Sequence, residues 1–298
     1  DMSDTHASRQ LFALAINEME KSNRDPEPTL DDLYDYFCLV VGQKHVQMFS
    51  REQREKLYKD SNAVLKSYEK SKKRGRIYSP KFTMDNSPEK MKEILLRMFS
   101  GGYNTLFDTA ISWLEPTERY LLEAIDDLED KGYKVSEEEF KEVFNAWILQ
   151  MSDLYMPIGH NISDNIRIEV RRNYEGYGIP SDWKFSRIIQ DAKGWKSDLA
   201  EMESWKQVLT DTFLDNGQDN TNRLYFEMSR IKPKFDLEHE WYRCDQCSEV
   251  TPFKLIGKCP SCGSNSIHKM SNHEYEAFDF WRNPIKSALA GEKISSID

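Results

Sequence analysis

Cys244-Asp-Gln-Cys247 and Cys259-Pro-Ser-Cys262-Gly263 restrict the folding of this chain more than any other stretch. Each Cys-x-x-Cys turn presents two sulfurs on one knuckle. The eleven residues between the pairs, Ser248 to Lys258, are enough for a hairpin that returns the second pair to the first. Four thiolates held so close a tetrahedron around a metal at about 2.3 Å, and structural Zn2+ is the ion that suits them best. Rubredoxin-like iron and a redox dithiol are the alternatives. With every position filled by protein the ion has no open site for catalysis, and its binding energy folds the ribbon. Pro260 stiffens the second knuckle and Gly263 supplies the positive φ at its close. Ser248 stands where the first knuckle lacks a glycine. His239, His268 and His273 are left over as ligands.

The remaining cysteine, Cys38, sits in Tyr36-Phe37-Cys38-Leu39-Val40-Val41 and reads as a small buried hydrophobe. Four paired thiols and one spare suit a metal in a reducing cytosol better than a disulfide framework. No apolar run approaches the ~20 residues that span a bilayer, and no secretory signal opens the chain. These features predict a cytoplasmic protein with no membrane partner. The first residue is Asp1 and the last stretch, Ile294 to Asp298, carries no cap, which predicts a piece of a longer protein.

Ahead of the ribbon the periodicity is helical. Leu11, Leu14, Ala15 and Met19 share a face, and Asp25-Pro26-Glu27-Pro28 ends that helix. Thr29 with Asp32 caps a second helix to about Val41, and Ser50 with Gln53 opens a polar one to about Lys73. Ser87-Pro88-Glu89 starts another, ending at Gly101-Gly102. Ser136 with Glu139 opens the helix with the clearest stripe: Phe140, Val143, Phe144, Trp147, Ile148, Met151, Leu154 and Tyr155. Ser163 begins the next. Trp183, Trp195 and Trp205 mark two more helices, Asp215 to Asn220 reads as a linker, and Leu224-Tyr225-Phe226 begins a short helix ending before Pro233. Strand signals are confined to residues 240–270. The predicted class is mainly α: a multi-helix domain over 1–214, a linker and short helix over 215–237, a small β zinc ribbon over 238–270 and a C-terminal helical segment over 271–298.

With 41 basic against 51 acidic residues the net charge is −10, which argues against wholesale coating by nucleic acid but permits a local basic surface. Lys70, Lys72, Lys73, Arg74, Arg76 and Lys81 form one, with no acid among them and Tyr78 and Phe82 interleaved; such a run grips phosphates, with aromatics for stacking. The plainer reading is a helix end whose cations suit the dipole. Arg167, Arg171 and Arg172 form a second candidate DNA surface. No cluster of catalytic residues stands out. His160, Asp164 and Glu169 are too loosely placed to make a site, and Gly176-x-Gly178 lacks the context of a phosphate loop.

Trp241-Tyr242-Arg243-Cys244-x-x-Cys247, Cys259-Pro-x-Cys262-Gly263 and Trp281-Arg282-x-Pro284 with Gly291-Glu292 resemble the region that follows the motor core in large bacterial DEAD/DEAH-box helicases of the DUF1998 (MZB-like) type. Several such proteins belong to anti-phage defence islands. Leu33 to Val40 and Arg167-x-x-x-Arg171 extend the resemblance more weakly. It implies an accessory role: a helical region and zinc module that hold DNA beside the motor domains of an ATP-dependent helicase. This chain carries no nucleotide-binding motif of its own. A protein-interaction scaffold, docking a partner subunit or the motor domains, is the alternative.

Overall fold

The computed structural model describes residues 2–46, 51–100, 105–216 and 222–292. Among the described residues nine α-helices precede the ribbon and two follow it, with small antiparallel sheets between. The N-terminal part is helical: α1 (Met2–Glu20), α2 (Leu33–Lys44), α3 (Arg51–Lys73) and α4 (Glu89–Phe99). A strand, β1 (Ser112–Pro116), leads into α5 (Glu118–Asp130), α6 (Glu137–Tyr155) and α7 (Asp164–Val170). Then come β2 (Ile179–Pro180), α8 (Arg187–Lys193), α9 (Leu199–Phe213), β3 (Leu214–Asn216), β4 (Arg223–Phe226) and β5 (Ile231–Phe235). The ribbon is β6 (Tyr242–Cys244), β7 (Val250–Thr251) and β8 (Ile267–Lys269), and α10 (Asn272–Glu276) and α11 (Asp279–Leu289) complete the described chain.

Most helix starts sit where their caps place them. Thr29 and Asp32 make a reciprocal capping box, although the turn they close is a 3-10 segment, Leu30–Asp32, that runs into α2. Ser136 Oγ accepts from the amide of Glu139, as read. The Glu139 carboxylate reaches Lys193 on α8 instead of the cap. The Ser50–Gln53 box, Gly101-Gly102 and positions 217–220 of the expected linker lie outside the described residues.

A mainly α reading is only part of this architecture, because strands occur well outside 240–270. β1 pairs antiparallel with β5, Ser112 opposite Phe235 and Pro116 opposite Ile231. In β5, Ile231, Pro233 and Phe235 face inwards, while Lys232 and Lys234 point out to Glu27 and Glu20. Pro233 is tolerated because this sheet has two strands, so each has a free edge where a missing N–H costs no ladder bond. Leu224-Tyr225-Phe226 is likewise strand, lying between β2 and β3, and Asp215-Asn216 extend β3. β1 and β5, and likewise β2 and β4, find their partners far along the chain, where no local pattern reveals them; β3 and β4 are neighbours in sequence.

One hydrophobic core runs from Leu11 to Ala288. In α1 every residue from Leu11 to Ile16 is buried, not only one face, because α2, β5 and α11 surround it. The stripe on α6 is buried from Phe140 to Met151, whereas Leu154 turns out to solvent. A ladder of aromatic rings crosses this half of the core: Phe140 on Trp205 at 5.2 Å, Trp195 on Phe185 at 4.7 Å, Trp183 on Trp147 at 5.7 Å. Such stacked and tilted pairs add ~0.5–1.5 kcal/mol each beyond their burial. Of the three tryptophans read as helix markers, only Trp205 lies within a helix; Trp183 and Trp195 flank α8.

Candidate metal centre and basic surface

Three short strands hold the knuckles together. β6 is central, pairing with β7 on one side and β8 on the other, so Cys244 at its end sits beside Ile267. The first knuckle closes with the Ser248 amide donating to the Cys244 carbonyl (2.9 Å), and the second with the Gly263 amide donating to the Cys259 carbonyl (2.9 Å). Both closing residues adopt positive φ, +63° at Ser248 and +74° at Gly263. Ser248 therefore takes the left-handed conformation that glycine takes in the second knuckle, at a modest cost for an L residue.

All four sulfurs lie within 4.8 Å of one another, with Cys244 to Cys262 at 3.5 Å and Cys247 to Cys259 at 3.6 Å. The edge of a tetrahedron built on bonds of about 2.3 Å is close to 3.8 Å, so the set has the dimensions of a four-sulfur metal centre. Cys244 and Cys259 are buried, and Cys247 and Cys262 are exposed. Burial opposes ionisation of Cys244, but amide donors from Cys247 and Gln246 outweigh it and bring that thiol down to about 7. Burial instead pushes the Cys247 and Cys259 thiols up. Four negative sulfurs at this spacing need a cation at their centre to ionise together. The residues thus fit a metal ion and can bind one.

The ribbon is fastened to the helical body by a second, separate core. Phe107, Ala110, Trp113, Trp241, Val250 and Met270 bury one another. His239 lies over Trp113 at 4.2 Å, and its Nε2 is 2.9 Å from the Pro252 carbonyl. Arg282 is buried and donates to the carbonyls of Ala110 and Leu237, clamping α11 to the turn before β1 and to the turn after β5 that leads to the ribbon. On the far side the Ile256 amide donates to Glu142 of α6 at 2.7 Å. His268 bridges Asp245 and Glu274. These partners, including Trp113 and Glu142, come from far up the chain, and nothing in the sequence signals them. Arg282 was visible only as part of a motif.

The two basic sets differ. Lys70, Lys72 and Lys73 form the last turn of α3, Gly75 follows at φ +61°, and with Arg74, Arg76 and Lys81 all six cations are exposed. None makes an ion pair among the described residues. The interleaved aromatics turn inwards. Tyr78 is buried and its hydroxyl donates to Asp35 of α2 at 2.5 Å, while the amides of Lys81 and Phe82 donate to the other oxygen at 2.7 and 3.0 Å. Burial pushes the Asp35 carboxyl up, and these three donors draw it back.

Arg167 belongs to no surface. It is fully buried, and its guanidinium donates to the carbonyls of Met156, Ile158 (3.1 Å) and Gly159 (2.6 Å), at and just beyond the end of α6. Desolvation lowers its pKa to about 10. It is a cap for a neighbouring helix, so the expectation that it faces DNA is corrected. Arg171 spends its guanidinium on Asp153, at 3.1 Å from the carboxylate, and on the Ser152 and Asp153 carbonyls. Arg172 is exposed over Tyr174.

Fold and site together define a helical body carrying a four-cysteine ribbon that is structurally fused to it. Over 295 residues the chain is 24% identical to Druantia protein DruE of Escherichia coli (strain UMEA 4076-1), an alignment that covers 94% of this chain and 15% of that protein. The chain thus spans about a seventh of the length of this curated relative. No protein-family profile matches the chain, and no solved structure matches it. Among the described residues no helix is long and apolar enough to cross a membrane.

Proposed function

We propose that this chain is a non-motor, accessory region of a large DNA helicase or translocase of anti-phage defence, in which a Zn2+ ribbon stiffens a helical body that contacts DNA. Two lines support the larger context: the likeness to a short part of Druantia protein DruE, and the resemblance of the Trp-Tyr-Arg-Cys and Trp-Arg-x-Pro stretches to the region behind a helicase motor. The observation that carries the DNA contact is the exposed run Lys70, Lys72, Lys73, Arg74, Arg76 and Lys81 at the end of α3, which makes no ion pair among the described residues. A phosphate backbone is the ligand for such a run, and counterion release makes the contact salt-dependent. Zinc supplies no chemistry to a substrate here; Cys244, Cys247, Cys259 and Cys262 hold it as a clamp.

The test is fluorescence anisotropy of labelled DNA titrated with the whole chain across a series of salt concentrations. Binding that weakens with salt is the expected result. Reversing the charge at Lys73 and Arg74 should lower the slope of log affinity against log salt by about one for each lost phosphate contact. Absence of binding even at low salt overturns the reading.

Phe280, 59% exposed on α11, favours a second reading, a scaffold that docks a partner subunit or the parent's motor domains. A salt-insensitive protein complex, unaffected by charge reversal at Lys72, Lys73 and Arg74 and lost on Phe280→Ser, would establish it in place of the first.

A further inference from the structure

Beside the basic run lies a cleft of about 240 Å³. It opens where the end of α1, the middle of α2 and the last turns of α3 meet. Its floor is Tyr36, Leu39 and Tyr78, all buried; Tyr68 and Ile77 stand at its side, and Lys21, Lys72 and Arg76 line it together with Ser22 and one acid, Glu18, which Lys21 neutralises. The floor is rigid. Tyr78 stands edge-on to Tyr36 at 6.2 Å and to Tyr68 at 5.5 Å, and its hydroxyl is committed to Asp35. Of the cations, Lys72 and Arg76 have no acidic partner among the described residues, while Lys21 pairs with Glu18 at 3.5 Å on the exposed rim. Ile77 is 62% exposed, a large apolar side chain displayed between Arg76 and the buried Tyr78. A π-bearing and apolar wall under a cationic rim is what a nucleobase with its own phosphate requires, since stacking tolerates any base and the cations take the phosphate. A duplex keeps its bases stacked inside and cannot use such a cleft.

We propose that this cleft accepts one nucleotide of single-stranded DNA, the base against Tyr68 and Ile77 and the phosphate at Lys72 and Arg76. The proposal rests on the reading that the end of α3 contacts DNA, and adds that the strand bound there is single. It assigns different jobs to neighbouring residues. Lys73 and Arg74 lie outside the cleft and serve any phosphate backbone; Tyr68 and Ile77 serve only an unpaired base.

The experiment compares affinity for a labelled oligothymidylate and for a hairpin duplex of equal charge, using the whole chain and three variants: Ile77→Ser, Tyr68→Leu and a Lys73→Glu/Arg74→Glu double. Ile77→Ser is informative even if Tyr68→Leu disturbs packing, because the side chain is mostly in solvent. The expected result is about a tenfold loss on oligothymidylate for each cleft variant with duplex affinity unchanged, and losses on both DNAs for the double variant. Oligonucleotides carrying 5-bromodeoxyuridine should photo-crosslink to the segment 68–78. If the cleft variants change nothing, or weaken both DNAs equally, while the double variant still weakens both, the cleft proposal falls and the basic surface stands. If the unaltered chain binds neither DNA at low salt, both fall. Free thymidine monophosphate that displaces the oligonucleotide at equal affinity per site would make the occupant a free nucleotide and overturn the single-strand assignment.

Discussion

Arg167 shows how one residue type in one pattern leads to two different roles. Its spacing from Arg171 on a short helix suggests a cationic face, and cations usually do face solvent. Here the chain beyond α6 turns sharply, with Met156 at φ +46° and Gly159 at φ +75°, and leaves three carbonyls pointing at one spot. A guanidinium can satisfy all three with its planar fork of donors. Arg167→Met should therefore lower unfolding free energy in urea by about 3 kcal/mol or more, since buried acceptors lose their donors at ~1–3 kcal/mol each. Arg167→Lys should recover only part of it, and DNA affinity measured below the unfolding transition should not move. Ser248 is the converse case: in the sequence it is only a departure from the glycine of the second knuckle, and in the structure it adopts that glycine's conformation, at φ +63°.

At the scale of elements, the end of α3 and its return to α2 govern how the basic surface is displayed. The cation run was readable because like charges without acids stand out in any sequence. The inward turn of Tyr78 and the tie to Asp35 were not, since they depend on α2 and α3 packing side by side, a relation no local window contains. Asp35 accepts three donors and holds residues 78–82 against the body. Asp35→Ala should abolish hydrogen-exchange protection at the Lys81 and Phe82 amides, while those of α6 keep theirs. The unfolding free energy should drop by about 2–4 kcal/mol, with two amides and a phenol losing a buried acceptor. Helices marked by a capping box or a 3.6-residue stripe, such as α6, are legible in the sequence because both signals are local. Strands such as β1 and β5 were missed because neither is stable without the other, and Pro233 disguised an alternation, Ile231 to Phe235, that was present throughout.

Across the whole molecule the ribbon is not a pendant. Its hydrophobic side, with Trp241 edge-on to Trp113 at 5.8 Å and to Phe107 at 5.7 Å, is part of a shared core, and Arg282 and Glu142 tie it from two sides. An ion held by the four cysteines would thereby be coupled to how the body presents its C-terminal helices. Stripping the metal with a chelator should red-shift tryptophan emission as Trp113 and Trp241 become wet, while far-UV circular dichroism falls only slightly, because the ladder around Trp147 and Trp205 lies in the other core. Re-adding Zn2+ should restore the emission. Loss of most helical signal on chelation would show the two cores to be one cooperative unit.

The four cysteines, the caps and the periodic stripes were determined by the sequence itself, since each is a short-range pattern with few physical solutions: two knuckles have one way to close on an ion, and a stripe one face to bury. Tertiary structure alone decided which cations remain on the surface, which aromatics became floor instead of platform, and that a cleft lies between α1, α2 and α3. Those outcomes depend on what packs against each side chain, and burial is a property of the neighbours, most of which are distant in the chain.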